Sequence, residues 1–139
     1  MPTLMGKINI IARCARLYRN DKLKKYGIHG TMDSIILQIC RNPGISQEEI
    51  ASRVCIDKSN VARQVAVLEE NGFLLRKPSG EDKRVMCLYP TQKTLELLPG
   101  LQEETERWEH VLLGVLTPGE RIQLLELLHR VRTRIEGEE

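Results

Sequence analysis

Residues 45–91, ISQEEIASRVCIDKSNVARQVAVLEENGFLLRKPSGEDKRVMCLYPT, decide the fold. Ser46 and Glu49 form an S-x-x-E capping box, the pattern that satisfies two orphan amides reciprocally at a helix start. Ile50, Ala51 and Val54 then recur at helical spacing and face a core. Cys55 and Ile56 carry a turn. Asp57 caps a second helix, its carboxylate placed to accept from the amide of Ser59 or Asn60. Val61, Val65 and Leu68 form that helix's buried stripe. Ala62 and Ala66 are small enough for close helix approach. Lys58, Ser59, Asn60, Arg63 and Gln64 supply donors and acceptors of the kind that read base edges or grip phosphates. Ser46 and Gln47, at the start of the first helix, complete that polar set. Asn71-Gly72 closes the second helix with a left-handed cap.

A basic hairpin follows. Phe73–Lys77 and Arg84–Tyr89 are short strands, separated by the turn-rich Pro78–Lys83 segment. Arg76, Lys77, Lys83 and Arg84 put cations on it. Asp82 lies two residues before Arg84, so on an extended strand both point to one face and the carboxylate braces the guanidinium. The hairpin alone reads as a solvated surface element with rim charges. Behind a helix-turn-helix it becomes a wing, and positive charge then coincides with groove-sized geometry. The expected fold is mainly α-helical with a small β-wing, a winged helix-turn-helix.

Flanking segments carry apolar surface beyond what this unit can cover. Ile8, Ile11, Ala15 and Tyr18 recur at three and four within Leu4–Tyr26, widened by Ile10, Cys14 and Leu17. Gly27 closes that helix. Thr31–Cys40 forms another, with Ile35, Ile36 and Ile39 inward, and Asn42-Pro43-Gly44 breaks it. After Thr91, apolar positions from Leu95 to Val115 mark a long helix, with a kink or break expected at Pro99-Gly100. Thr117-Pro118-Gly119-Glu120 is a second capping box, with proline at the favoured first position. Ile122, Leu125, Leu128 and Val131 continue from it. The expectation is one domain over residues 1–139. Within it, 1–30 and 92–139 supply dimerisation helices and 31–91 the winged helix-turn-helix.

With 139 residues the chain is of single-domain size, and its net charge is only +2. The distribution is uneven: residues 1–30 hold seven Lys or Arg against one acid, whereas residues 95–139 hold ten Glu against five Arg. Two helical ends of opposite charge favour packing across a subunit interface, with some long-range attraction to DNA. No apolar run approaches membrane-spanning length, and Lys7 and Arg13 interrupt any signal-peptide pattern, so a cytoplasmic protein away from the membrane is expected. Cys14, Cys40, Cys55 and Cys87 form no C-x-x-C pair, and His29, His110 and His129 have no metal-ligand spacing; neither metal nor cofactor is expected. No nucleophile–base pair or phosphate loop appears, which argues against an enzyme.

The capped helix SQEEIASRV, the segment DKSNVARQVAVLEENGFL from Asp57, the D-x-R of Asp82–Arg84, Leu88 and Thr91 of an L-x-L-T pattern, and LTPGE from Leu116 together resemble the MarR family of bacterial transcription regulators. The resemblance covers essentially the whole chain. Pro90 stands where the family usually has leucine, and Thr94 where a glycine often follows the threonine. The resemblance implies a homodimer on double-stranded DNA at a pseudo-palindromic operator, acting as a repressor released by a small aromatic or anionic effector. Arg16, Tyr18, Tyr26, His29 and Trp108 are the residues available to line an effector cleft.

Two alternatives stand beside this. A thiol switch would use Cys14, which lies between Arg13 and Arg16; its place on the apolar stripe favours inert packing instead. A winged-helix interaction module without DNA binding would show apolar or acidic residues where Asn60, Arg63, Gln64 and the wing cations stand.

Overall fold

The computed structural model describes residues 3–137. Its elements are α1 (Leu4–Leu23), a 3-10 turn (Lys24–Tyr26), α2 (Met32–Arg41), β1 (Ile45–Ser46), α3 (Gln47–Val54), α4 (Lys58–Glu70), β2 (Leu74–Pro78), β3 (Met86–Pro90), α5 (Gln92–Leu113) and α6 (Pro118–Glu136). The chain is thus mainly helical with one small antiparallel sheet, ordered β1-β3-β2. By contacts it divides into two units, residues 1–105 and 106–139.

In the first unit, α2, α3 and α4 surround an aliphatic core. Ile35, Ile36 and Ile39 of α2 meet Ile50 of α3 and Val61, Val65 and Leu68 of α4; Phe73, Leu74 and Leu88 close it from the sheet, with Leu23 and Leu101 alongside. The stripes read from helical periodicity are the buried ones, because each helix has a single apolar face to hide.

Several local details differ from expectation. The first α-helix stops at Leu23 and its last residues tighten into the 3-10 turn, which Gly27 closes at φ 75°. The short strand β1 was not foreseen; it pairs Ile45 with Leu88 and Ser46 with Cys87. Hairpin strands are Leu74–Pro78 and Met86–Pro90, not Phe73–Lys77 and Arg84–Tyr89, because Asp82–Val85 forms a turn closed by the Val85 amide on the Asp82 carbonyl at 3.0 Å. Ser46 caps α3 through the Glu49 amide at 3.2 Å, but the Glu49 carboxylate accepts from the Ser46 hydroxyl rather than from its backbone.

Pro99 does not break α5, which runs through it from Gln92 to Leu113. The carbonyl orphaned by a proline is that of the residue four back, here Leu95, an exposed residue. Gly100 serves packing instead. A Cβ there would lie 2.5 Å from the Tyr26 hydroxyl oxygen, so only glycine admits that ring. The departures at the start of α5 leave a sound cap. Thr91 Oγ1 accepts from the Thr94 amide at 3.4 Å and donates to the Gly72 carbonyl at 2.6 Å. Thr94 is buried, and its hydroxyl donates to the Phe73 carbonyl, a bond glycine would lack.

On α1, Leu4, Met5, Ile10, Ile11 and Leu17 are exposed. Cys14 is exposed as well, where packing was expected, because among the described residues nothing covers this side of α1. Cys55 is also exposed; Cys40 is half-buried, and burial pushes its thiol up from the ordinary range.

The second unit holds the end of α5 and all of α6. Thr117 and Glu120 form the reciprocal box, at 2.9 and 3.2 Å, and Arg121 Nε donates to the Leu113 carbonyl at 3.0 Å. Val111, Val115, Ile122, Leu125, Leu128, Val131 and Ile135 are exposed on this unit.

Candidate nucleic-acid interface

The turn from α3 to α4 is made by Cys55, in the left-handed region at φ 53°, whose amide donates to the Ala51 carbonyl. Asp57 then starts α4. Its Oδ2 accepts from the Asn60 amide at 3.3 Å and from the Ser59 hydroxyl at 2.7 Å. Ser59 therefore contributes its hydroxyl to the cap, not its amide. These bonds, the Ser59 hydroxyl foremost, hold the Asp57 carboxyl below the usual range. An ionised cap also suits the positive end of the helix dipole.

Along α4, Lys58, Ser59 and Arg63 are exposed, whereas Asn60 and Gln64 are half-buried. Lys58 Nζ lies 3.5 Å from Glu48 Oε1, an exposed pair worth little in stability. Asn60 and Gln64 are joined: Gln64 Nε2 donates to Asn60 Oδ1 at 3.0 Å, and Gln64 Oε1 accepts from the Thr31 hydroxyl at 2.9 Å.

The wing divides its cations between two tasks. Arg76 is tethered: its Nε lies 3.2 Å from Glu69 Oε1, and its Nη1 donates to Gln47 Oε1 at 3.3 Å. It ties β2 to the ends of α4 and α3. Lys77 lies over the Tyr89 ring at 5.3 Å. Lys83 and Arg84 extend from the turn into solvent. Asp82 Oδ1 accepts from the Arg84 amide at 3.0 Å and from its Nε at 3.2 Å, while Oδ2 accepts from Nη2 at 3.4 Å. The brace expected on a strand is therefore formed within a turn, and it leaves the Arg84 side chain 91% exposed. The Arg84 amide and then its guanidinium hold the Asp82 carboxyl below the usual range. An open cleft of about 290 Å³ gathers Ser46, Gln47, Glu48, Arg76, Arg84, Val85 and Met86 between the start of α3 and the wing.

The residues considered for an effector lie on several elements. Arg16 is exposed on α1, and Tyr18 is half-buried with Lys22 Nζ 5.7 Å from its ring. Tyr26 packs against the core and occupies the notch at Gly100. His29 lines a separate open cleft of about 300 Å³ with Asn20, Lys24, Gly27 and Ile28. Trp108 belongs to the other unit.

Thr31 and Glu69 escaped the reading of the sequence. Each acts on a residue distant along the chain, Thr31 on Gln64 and Glu69 on Arg76 across the α4–β2 turn, and no periodicity couples such pairs. Cys55 stands in the turn read from the sequence, but its positive φ has no local signal, since glycine is the residue that usually takes that conformation.

Comparison with known proteins agrees with this architecture. The MarR family profile matches residues 34–86. The HTH-type transcriptional regulator YybA of Bacillus subtilis (strain 168) is 32% identical over 98% of this chain and 91% of its own length. The transcriptional repressor MprA of Escherichia coli (strain K12) is 28% identical over 85% of this chain and 68% of its own. A MarR family transcriptional regulator from Listeria monocytogenes, solved in complex with a 26mer DNA, superposes with a TM-score of 0.93 at 28% identity, covering 99% of this chain and 92% of that one. With its capped helix pair, its sheet and its braced wing, the chain belongs to the MarR family: it is a winged-helix transcriptional regulator and not an enzyme.

Proposed function

We propose that the protein is a homodimeric, sequence-specific DNA-binding repressor that occupies a pseudo-palindromic operator and leaves it when a small aromatic or anionic effector binds. The observation that carries this reading is the wing: an exposed guanidinium, held by a carboxylate in one geometry, beside a helix with an outward Arg63. An arginine so presented suits a narrow, A·T-rich minor groove, while α4 suits the major groove beside it. Lys58, Ser59, Asn60, Arg63 and Gln64 would face bases and phosphates on α4. Ser46, Gln47, Lys77, Lys83 and Arg84 would meet the backbone and minor groove, with Arg76 and Asp82 as supports. An interaction module would have no need of cations at these positions. DNA as target makes the cytoplasm the working compartment.

A second copy of the chain is the natural cover for the apolar side chains exposed on α1 and, separately, on α6. Repression is supported by likeness to a regulator named as a repressor. The cleft at His29 has the volume of a small ligand site, and Lys24 on its wall offers a charge to an anion. Selection of bound duplexes from a random pool tests the reading. Enrichment of two inverted half-sites, roughly 34 Å between centres, is expected; a pool that stays random would refute it.

A further inference from the structure

One sugar–phosphate strand separates the major groove of a duplex from the minor groove beside it. With α4 in the first and the wing in the second, that strand would pass the cleft between the start of α3 and the wing, where Ser46, Gln47 and Arg84 meet. Phosphate oxygens only accept hydrogen bonds, so the cleft must supply donors. The Ser46 hydroxyl proton is used within the helix cap, since the Glu49 carboxylate beside it at 3.3 Å can only accept. Gln47, half-buried at the first position of α3, is turned by a group of fixed polarity. Arg76 Nη1 donates to its Oε1 at 3.3 Å, and a guanidinium has no acceptor. The Gln47 amide therefore keeps its oxygen towards Arg76 and its NH2 away; turned over, it would set donor against donor. Among the described residues that NH2 has no protein partner. Arg76 is fixed in turn by Glu69 in the last turn of α4, whose carboxylate oxygen lies 3.2 Å from Arg76 Nε and accepts only. No hydroxyl and no second amide stands in the series Glu69, Arg76, Gln47, so each link has one sense.

We infer that Gln47 donates its NH2 to one phosphate of the strand between the two grooves, and that Arg76 and Glu69 are its positioning residues. The Arg76 side chain is 26% exposed and engaged at both Nε and Nη1, and it does not itself bind the phosphate; Arg84, at 91%, is the wing's DNA-facing arginine. Glu69 thus aids binding to a polyanion although it is an acid. The contact fixes register and carries no sequence, since a phosphate is the same at every base pair. The inference rests on the DNA-binding reading above and adds to it a contact of stated polarity.

Affinities of the full-length protein for a labelled duplex recovered from the random pool test it. Gln47→Met keeps the length of the side chain and removes the NH2. It binds about tenfold more weakly, the loss of one hydrogen bond to a charged group, and by the same factor on duplexes of varied sequence. Gln47→Glu keeps one oxygen for Arg76 and turns the other to the phosphate, so it binds more weakly still. Glu69→Ala removes a negative charge, which alone would tighten binding, yet it weakens it. Arg76→Lys keeps the charge, loses the two-way tie and weakens binding too. Either change costs less in the Gln47→Met protein than in the wild type, because the donor it positions is gone. Methylphosphonate replacement of one phosphate at a time locates the contact: at one position it weakens the wild type and leaves Gln47→Met unchanged. Melting curves confirm that each variant is folded. Tighter binding by Glu69→Ala, unchanged binding by Gln47→Met, losses of Arg76→Lys and Gln47→Met that add in full, or a duplex with no phosphate of that pattern would each overturn the inference. A wild type that binds no duplex overturns the DNA-binding reading itself.

Discussion

Replacing Asp82 with Asn separates the two effects this residue would have in the proposed complex with DNA. The carboxylate holds Arg84 by three bonds, at 3.0 Å to its amide and at 3.2 and 3.4 Å to its guanidinium. An asparagine retains one oxygen for the Arg84 amide, so the turn survives while the two-pronged grip on the guanidinium is lost. An arginine side chain carries about 2 kcal/mol of rotamer entropy. Fixing such a side chain at an interface costs about 0.5–1.5 kcal/mol, and the structure has already fixed this one. With two wings in the proposed dimer the variant would lose about 1–3 kcal/mol of binding, roughly a 5- to 150-fold weaker complex. Removal of a negative charge near phosphates acts the other way, and salt screens that gain. The expected result is weaker binding whose penalty grows as salt is raised from about 0.05 to 0.2 M, read by fluorescence anisotropy on a labelled operator. Tighter binding at every salt concentration would mean that Asp82 only repels DNA, and the brace would be refuted.

Arg63→Ala should weaken operator binding by about 1–3 kcal/mol and relax preference at one position per half-site; equal weakening on all sequences would mark a phosphate contact instead. Gly100→Ala should lower the melting temperature although alanine is favoured in helices by about 1 kcal/mol, since its Cβ would meet the Tyr26 hydroxyl oxygen at 2.5 Å. Tyr26→Phe in that background should recover part of the loss, and a more stable Gly100→Ala protein would contradict the packing described. Asp57, held below the usual range in the folded chain, contributes stability that is present above the ordinary carboxylate value of about 4 and lost as pH falls through the folded value. Asp57→Asn, which still caps, should therefore show a shallower fall in melting temperature under acid than the wild type; identical acid profiles would exclude an ionised cap.

The parts of the fold that were legible in the sequence are those set by neighbours along the chain. Asp57 and Thr117 cap helices because their oxygens reach an amide three residues on. Val61, Val65 and Leu68 share one side of a single helix, so periodicity finds them. Gly27 and Gly72 take positive φ where helices end. What escaped is set by distant partners. The tether of Arg76 depends on Glu69 and Gln47, and it turns a presumed surface cation into a brace for β2. Gln64 and Asn60 look like two free amides on a polar side, yet they are bonded to each other, and Gln64 also to Thr31, 33 residues away along the chain. Pro99-Gly100 carries the signature of a break, yet Gly100 is there for the ring of Tyr26. Strand β1 is two residues long and has no alternation to detect.

Sedimentation equilibrium at micromolar concentration, with and without a labelled operator duplex, decides whether the chain works as a DNA-bound dimer. Ile11 and Leu17 on α1, and Leu125 and Leu128 on α6, are exposed, and the twofold partner proposed above would cover them. The expected result is a free protein of twice the 15.9 kDa chain mass and a complex with two chains on each duplex. A free species of 15.9 kDa that leaves the duplex unbound would contradict it.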